Sequence, residues 1–285
     1  AVLPMVTMVI SMIAGTVFLI WLGELITEYG IGNGISIIIF GGIVAGFPDL
    51  ISRGVLASSK LWGLTLYGIL ALATIAFIVI FTEAHRRIPL QYARSIFRGG
   101  RMYRQSGTTH IPLRVNTAGM IPLIFAMSIV IFPGIVASYF ASSANPNIAN
   151  TIMELFSPNA SMPLGLFYWG LYFILTVAFT FFYTIVIFQQ QDLPTVLQRQ
   201  GGFIPGIRPG KNTANYLNQV IYRITWAGAI FLAIVAIMPF IGRQITGVDL
   251  QISSMGLLIM VGVILDTMKQ MEAQLVMRRY EGFIK

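Results

Sequence analysis

The sequence predicts an all-α fold, a polytopic membrane bundle of helices, and three observations carry that prediction. Apolar residues make up 56% of the chain and charged residues only 10%, and the mean hydropathy is +0.80. A soluble globular domain carries about 25% charged residues. The apolar residues are gathered in long runs, and the basic residues are gathered in every second connection between those runs.

Seven apolar runs are candidates for membrane spans, because a bilayer core requires roughly 20 mostly apolar residues per helix. They lie at residues 1–22, 33–50, 62–82, 117–138, 164–188, 221–241 and 253–273. The second run has the shortest apolar core and is rich in glycine, which favours a position among other helices. The fourth contains Pro122 and Pro133, which favour a kink.

The connections between the runs alternate sharply in charge. All of the 18 basic residues except Arg53, Lys60 and Arg243 lie in or beside one set of connections, which comprises 83–116, 189–220 and the C-terminal tail. Positive charge accumulates in cytoplasmic loops. The first span is therefore predicted to run from outside to inside, and the C-terminus is predicted to be cytoplasmic. The net charge of +8 follows from this topology and does not require a nucleic-acid partner.

The start of the chain and its cysteine content set further bounds. Ala1 lies inside an apolar run with no basic region or cleavage motif before it in this sequence, so we expect that the run is not a signal peptide. We expect the sequence to be the C-terminal part of a longer membrane protein. The chain has no cysteine, which excludes disulfides and thiol nucleophiles.

The chemistry of an enzyme or a metal protein is not visible. No span carries a central Asp, Glu, Lys or Arg, which weighs against an ion-coupled transporter. His85 and His110 lie in the basic 83–116 connection without further converging ligands, so no metal site or cofactor is predicted. The glycine run at 30–34 lacks the preceding strand of a dinucleotide-binding fingerprint, and it predicts a tight turn at the membrane surface.

Two basic connections are candidates for binding a partner. The 83–116 connection holds seven arginines interleaved with Tyr92, Phe97 and Tyr103. Such a composition suits RNA, an acidic protein surface or lipid headgroups, and the residues alone leave these open. In the stretch 201–212, GGFIPGIRPGKN, Pro205 and Pro209 exclude a continuous helix and the glycines permit turns. Either an ordered basic hairpin or an ordinary linker fits that pattern.

Four segments, taken together, resemble one family. They are WLGELITEYGIGNGISIIIFGGIVAG at 21–46, TTHIPLRVNTAGMIPLIFAMSIVIFP at 108–133, GGFIPGIRPGKNT at 201–213 and LDTMKQMEAQLVMRRYEGFIK at 265–285. Their order and spacing resemble those of the bacterial SecY family from one end of the chain to the other. The seven spans look like the fourth to tenth transmembrane helices of that family.

The resemblance implies a SecY-like translocon fold, truncated at the N-terminus. Residues 1–50 would form the last part of the N-terminal half, and 51–285 would form the C-terminal half with two long cytoplasmic loops, 83–116 and 189–220. The implied function is a protein-conducting channel subunit, not an enzyme. It would pass unfolded polypeptides across the bacterial cytoplasmic membrane and release transmembrane segments sideways into lipid. A secondary transporter of a small solute is the alternative, favoured by the helix count and the glycine-broken spans.

The resemblance also implies site residues and partners. The implied pore ring is Ile39, Ile124 and Ile259, and the implied lateral gate helix carries Asn116, Ser128 and Phe132. The implied docking residues are Arg208, Lys211, Arg98, Arg101 and Arg104. The implied partners are the SecE and SecG subunits, the SecA ATPase, the ribosome, signal peptides and nascent chains, and membrane lipids. No cofactor and no metal is implied.

Overall fold

The computed structural model describes residues 2–49, 52, 61–98, 101–141, 148–160, 163–247 and 253–281. Six helices in this part of the chain are long and apolar enough to cross a bilayer. They are α1 (Val2–Tyr29), α3 (Leu61–Glu83), α4 (Ile121–Ser138), α6 (Leu164–Gln191), α8 (Lys211–Thr246) and α9 (Ser254–Glu281). Three shorter helices accompany them, namely α2 (Gly34–Ala45), α5 (Ile148–Leu155) and α7 (Leu193–Arg199). The prediction of a mostly helical membrane protein is confirmed.

Each of the seven predicted spans lies on a helix, but some bounds differ. The second span is α2, which is too short to count among the six. α8 begins at Lys211, ten residues before the predicted span, because its first turns are polar and escape a search for apolar runs. α4 begins at Ile121 and not at residue 117, since a turn at 118–120 precedes it.

A small antiparallel sheet accompanies the helices, and the sequence analysis treated its residues as loops. β1 (His85–Arg98) pairs with β2 (Arg101–Arg114) along their whole lengths, from His85 opposite Arg114 to Arg98 opposite Arg101. β3 (Gly202–Phe203) joins the other edge of β1, with Gln91 opposite Phe203. The strand order is therefore β2-β1-β3.

The chain divides into two compact units, and the first comprises residues 1–75 and 242–285. In this unit α2 packs against α1 on one side and against α9 on the other. Thr27 closes the turn between α1 and α2: its hydroxyl donates to the Gly23 carbonyl at 2.8 Å and accepts from the Gly34 amide at 2.8 Å. Asn33 caps α2 by accepting a hydrogen bond from the Ser36 amide. The predicted tight turn at 30–34 is confirmed.

The second unit comprises residues 76–241 and contains the sheet. α4 packs against α5 and α6. The aromatic rings of Phe77 and Phe81 on α3 contact Phe231 on α8, with centroid distances of 5.3 and 4.6 Å. A Cβ at Gly228 would lie 2.6 Å from the Val115 carbonyl oxygen, so α8 approaches the backbone before α4 at a distance that only glycine permits.

Two glycines on α2 give a matched test of the packing in the first unit. A Cβ at Gly34 would lie 1.9 Å from the Gly23 carbonyl oxygen, whereas one at Gly42 would meet nothing within 4 Å. Gly34→Ala should destabilise the protein by about 1–3 kcal/mol through overpacking. Gly42→Ala should be neutral or stabilising by up to about 1 kcal/mol. Thermal unfolding of the full-length protein in detergent measures both, and equal melting temperatures for the two variants would contradict the α1–α2 packing.

Candidate functional site

The two basic connections of the sequence fold onto one shared apolar core. We call this part of the second unit the platform: β1, β2, α7, β3 and residues 201–221. Its core consists of aliphatic side chains that are each buried, namely Ile88, Leu90, Leu113, Leu197, Ile204, Leu217 and Ile221. Phe188, Leu193 and Ile207 pack against them. Residues more than 100 positions apart in sequence thus share one hydrophobic cluster, which joins the two connections into a single structure.

Alternation along β1 and β2 explains how the same strands supply both core and charge. Successive strand residues point to opposite faces. Ile88 and Leu90 are buried, whereas Arg87, before Ile88, and Pro89, between the two, are exposed. On β2, Leu113 is buried and Arg114 is exposed. The sheet therefore presents apolar side chains to the helices and cations to solvent.

The signal for these strands was present in the sequence. Ile88-Pro89-Leu90 and Ile111-Pro112-Leu113 alternate apolar residues with proline, and a Gly99-Gly100 pair separates the two runs. A glycine pair between two such runs is a recognised hairpin pattern. Proline is confined to the edges and ends of sheets, so the two prolines weaken the prediction of strands from this pattern.

The stretch after β3 is an ordered turn and not a linker. The Ile207 amide donates to the Ile204 carbonyl at 3.1 Å. Pro205 and Gly206 occupy the two central positions, and Gly206 has φ 82. Proline followed by a positive-φ glycine is the signature of a type II turn. The buried Ile204 side chain anchors this turn in the platform core.

A second Pro-Gly pair holds Arg208 in place. Gly210 follows Pro209 with φ 108, and its carbonyl accepts the first helical bond of α8, from the Ala214 amide at 3.2 Å. The buried Thr213 hydroxyl donates to the Arg208 carbonyl at 3.1 Å. The Arg208 backbone is thereby fixed while its side chain is exposed, and the Lys211 side chain is exposed one turn away.

The platform surface is strongly basic. The connections 83–116 and 189–220 contain ten Arg and Lys residues, and between Ala84 and Val220 on these connections Asp192 is the one acidic residue. The described cations on this surface are all exposed: Arg86, Arg87, Arg114, Arg199, Arg208 and Lys211. Charges of one sign on one surface raise the local concentration of anionic partners.

Three of the predicted docking residues lie farther out on the hairpin. Arg98 faces Arg101 across the end of the β1–β2 pair, and Arg104 faces Ser95. Their side chains lie outside the part of the chain that the structure describes. The hairpin brings these three arginines together at its distal end through its backbone register alone.

Two of the predicted pore-ring residues lie in the first unit on a helix pair. A Cβ at Gly32, before α2, would lie 3.2 Å from the Thr267 hydroxyl, and one at Gly256 would lie 3.5 Å from Ile43. These contacts pair the start of α2 with a later part of α9 and the end of α2 with the start of α9, so the two helices run antiparallel. Ile39 and Ile259 both lie between the two contacts. Ile39 is 41% exposed and Ile259 is half-buried.

The third predicted pore-ring residue, Ile124, lies in the second unit on a face of α4 that is not buried. Leu123, Ala126 and Val130 form the buried stripe of this helix. Ile124 is 40% exposed, and the exposed Ser128 and Phe132 follow it at intervals of four residues. Residues at that interval share a helix face. The predicted pore residue and two predicted gate residues therefore lie on one unburied face of α4.

The remaining gate residue, Asn116, differs in setting from the other two. The sequence analysis placed it on the fourth span, but it lies in the turn before α4 begins. Its side-chain oxygen accepts a hydrogen bond from the Gly119 amide at 3.0 Å, and Gly119 has φ 64. Asn116 thus fixes the entry to the helix, which the sequence alone did not indicate because the helix start was set four residues too early.

Among the described residues, no three His, Asp or Glu side chains are grouped as a metal ion would require. The described features are six helices that are long and apolar enough to cross a bilayer, an exposed Ile39 and a half-buried Ile259 in one unit, an unburied face of α4 in the other, and a basic platform. They define a polytopic membrane protein with a large basic surface.

Comparison with known proteins agrees with that class. A sequence model described as SecY matches residues 2–268. A protein translocase subunit SecY of Halalkalibacterium halodurans is 47% identical over 95% of this chain and 64% of its own length. The corresponding subunits of Thermotoga maritima and Escherichia coli are 43% and 40% identical, over 96% and 98% of this chain and 61% and 62% of their own lengths. The chain belongs to the SecY family.

Solved structures support the fold. A structure described as "The structure of a protein conducting channel" has a TM-score of 0.57 and is 20% identical, over 92% of this chain and 63% of that chain. Another, described by the role of its plug domain in closing a translocation channel, also has a TM-score of 0.57, with 18% identity over 92% of this chain and 64% of that chain. This chain spans 61 to 64% of the length of the relatives and structures named here.

Adjacent residues on α7 test whether the platform is held by its apolar core. Leu197 is 5% exposed and lies in the core, whereas Val196 is 41% exposed. Leu197→Ala should cost about 2–5 kcal/mol of local stability. It should accelerate tryptic cleavage after Arg199 and Lys211 in the full-length protein, and Val196→Ala should leave the cleavage rate unchanged. Equal cleavage rates in both variants would mean that the core does not order the platform.

Proposed function

We propose that the chain is the C-terminal portion of a protein-conducting channel subunit in the bacterial cytoplasmic membrane. The subunit passes unfolded polypeptides outward and releases transmembrane segments sideways into lipid. The observation that carries the proposal is identity of 40–47% with protein translocase subunits SecY along nearly the whole chain. In this reading residues 1–50 end the N-terminal half of the subunit, and 51–285 form its C-terminal half.

Ile39, Ile124 and Ile259 are proposed to form part of the constriction of the pore. Branched apolar side chains at mid-membrane repel water and ions, yet they part when a polypeptide enters. Ile39 and Ile259 lie between the same two contacts of α2 with α9, which supports this assignment. The partial exposure of Ile124 supports it too, because packing within its unit does not bury this side chain. An apolar seal needs no charged filter, in keeping with spans that carry no central ionisable residue.

The unburied face of α4 that carries Ile124, Ser128 and Phe132 is proposed to line the lateral gate. Ser128 and Phe132 lie on the same face as Ile124, so a segment leaving the pore along α4 would meet all three in turn. A segment of roughly 20 apolar residues gains enough free energy in lipid to leave by this route. Asn116 holds the turn from which α4 starts, and its proposed role is to set the position of the gate helix.

The platform is proposed to be the cytoplasmic docking surface for the SecA ATPase and the ribosome. Arg208 and Lys211 lie on a rigid double turn, and Arg98, Arg101 and Arg104 lie at the end of the hairpin. Arginine binds phosphate and carboxylate groups through two parallel hydrogen bonds, so both ribosomal RNA and acidic protein surfaces suit it. With the platform inside the cell, the C-terminus is cytoplasmic too. SecE and SecG are the proposed companion subunits.

The chain is proposed to be a channel and not an enzyme, so that energy comes from the docked motor or from translation. The solute-transporter alternative is not favoured, since the relatives are named as translocase subunits. Reconstitution tests the proposal. The full-length subunit purified with SecE and placed in proteoliposomes should export a signal-bearing precursor when SecA and ATP are added. Precursor that stays protease-accessible under these conditions would overturn the proposal.

An isoleucine-to-asparagine pair tests the pore ring on α4. Ile124→Asn places a polar group at the proposed seal and should raise ion leak through the closed channel several-fold and admit precursors with defective signal sequences. Ile129, similarly exposed on α4 but on another face, provides the control, and Ile129→Asn should leave the leak unchanged. Conductance of single channels in planar bilayers measures both. An unaltered leak in the Ile124 variant would show that this residue does not seal the pore.

A charge reversal tests the docking role of Arg208. Arg208→Glu should slow SecA-driven export at least about tenfold, since breaking a close charge pair in an interface costs more than 2 kcal/mol. The control is Gln244→Glu, which adds a negative charge at an exposed position near the other end of α8, outside the platform. Both variants should assemble in the membrane normally. Export and SecA ATPase stimulation at wild-type rates in the Arg208 variant would remove this residue from the docking surface.

A further inference from the structure

A cavity opens beside the platform core where α6 ends and α8 begins. Its volume is about 320 Å³, and it is bounded by the last turn of α6, the start of α7 and the first turns of α8. Ile185, Phe188, Leu217 and Ile221 supply apolar walls. Pockets for small molecules range from about 300 to 1,000 Å³, so this one lies at the small end of that range and is large enough for a single long side chain.

The rim of the cavity is polar and accessible. Gln189, Asp192 and Asn218 are exposed and Tyr222 is half-exposed. They place a carboxylate, two amides and a phenol around the mouth of an apolar pocket. Asp192 is the one acidic residue between Ala84 and Val220 on the two connections, which carry ten cations, so the cavity is a negative point on a positive surface.

Asp192 has a left-handed backbone conformation, which aspartate tolerates better than most residues but less well than glycine. It has φ 38 and ψ 47, the left-handed region, and it is the one non-glycine residue with positive φ in the described part of the chain. Such a conformation costs on the order of 1 kcal/mol or more and marks sites of function when the surrounding fold maintains it. Glycine would adopt it without strain.

The usual reason for an aspartate at this position does not apply. Asp192 is the N-cap residue of α7, where a carboxylate normally accepts hydrogen bonds from the first turn. Here only its backbone carbonyl accepts, from the Thr195 and Val196 amides at 3.1 Å, and the side chain makes no capping bond. The carboxylate lines the cavity mouth instead. Helix capping by the side chain therefore does not account for the acid.

These features together define what the cavity recognises. A carboxylate at the mouth attracts a cation, the amide and phenol groups accept or donate further hydrogen bonds, and apolar walls cover an aliphatic stem. Lysine and arginine combine a charged head with such a stem. A basic side chain is repelled by the rest of the platform and attracted at this one point, so charge complementarity favours a defined register of docking.

We propose that this cavity receives an arginine or lysine side chain from a partner protein that docks beside the platform. The contact serves to set the register of a basic segment on a surface that otherwise binds acidic partners. The inference rests on the cytoplasmic position given to the platform under the proposed function, but it does not depend on channel activity.

The test uses a photo-reactive benzoylphenylalanine in place of Asn218 in the full-length subunit, in native membranes. Irradiation should give a cross-link to a protein segment that mass spectrometry places within a few residues of an Arg or Lys. Asp192→Asn and Asp192→Lys should each lower the yield at least about tenfold. Replacing the partner's basic residue by Glu should restore the product with the Asp192→Lys subunit. Gln190→Lys is the control, because this exposed neighbour does not line the cavity, and it should leave the yield unchanged.

A glycine variant separates binding from folding. Asp192→Gly relieves the backbone strain, so the melting temperature should stay level or rise while the cross-link is lost. The tryptic pattern at Arg199 and Lys211 verifies that the platform of each variant is folded. The inference is overturned by a cross-link to lipid, by a partner segment without a basic residue, by no cross-link, or by a yield that the Asp192 variants do not change. Precursor export from the same membranes is measured separately, so that failure of the channel assignment is distinguishable from failure of this contact.

Discussion

Burial of a few aliphatic side chains on the platform is the interaction on which its other features depend. Ile88 and Leu113 come from the hairpin, Leu197 from α7, Ile204 from the turn and Leu217 from α8. Once these side chains share a core, the two basic connections cannot move independently, and the cations on their outer faces keep fixed positions. Order on the outside of the platform is thus a consequence of apolar contacts on its inside.

The division of chemistry along the chain follows the same logic. The spans carry no Asp, Glu, Lys or Arg at their centres, and each unsatisfied polar group in hydrocarbon would cost several kcal/mol. In the proposed function, charged partners are recognised where water is present, on the platform. Asp192 departs from the general sign of that surface, and it has a left-handed backbone that glycine would adopt with less strain.

Most of the helices could be predicted from hydropathy, since a run such as 164–188 is long, apolar and nearly free of charge. The topology, with a cytoplasmic C-terminus, is predicted from charge alternation and stays a prediction. The β-hairpin could not be predicted with the same rules, because its buried residues alternate over only a few positions and are interrupted by Pro89 and Pro112. The start of α8 at Lys211 was not predicted for a related reason. Its first turns are amphipathic and are stabilised by tertiary contacts of Leu217 and Ile221. Asn116 was misplaced because side-chain capping of a turn leaves no trace in hydropathy.

The pairing of β1 with β3 offers the most direct measurement of the central claim, that the two basic connections form one structure. Gln91 lies opposite Phe203, and the chain has no cysteine to interfere. Opposed Cα atoms in an antiparallel pair are about 4.5–5.5 Å apart, within the range of a disulfide. The full-length protein carrying Gln91→Cys with Phe203→Cys should form an intramolecular disulfide rapidly under mild oxidation, detected as a reducible link between the two tryptic fragments. Both thiols remaining free under conditions that oxidise an exposed thiol pair would contradict the account.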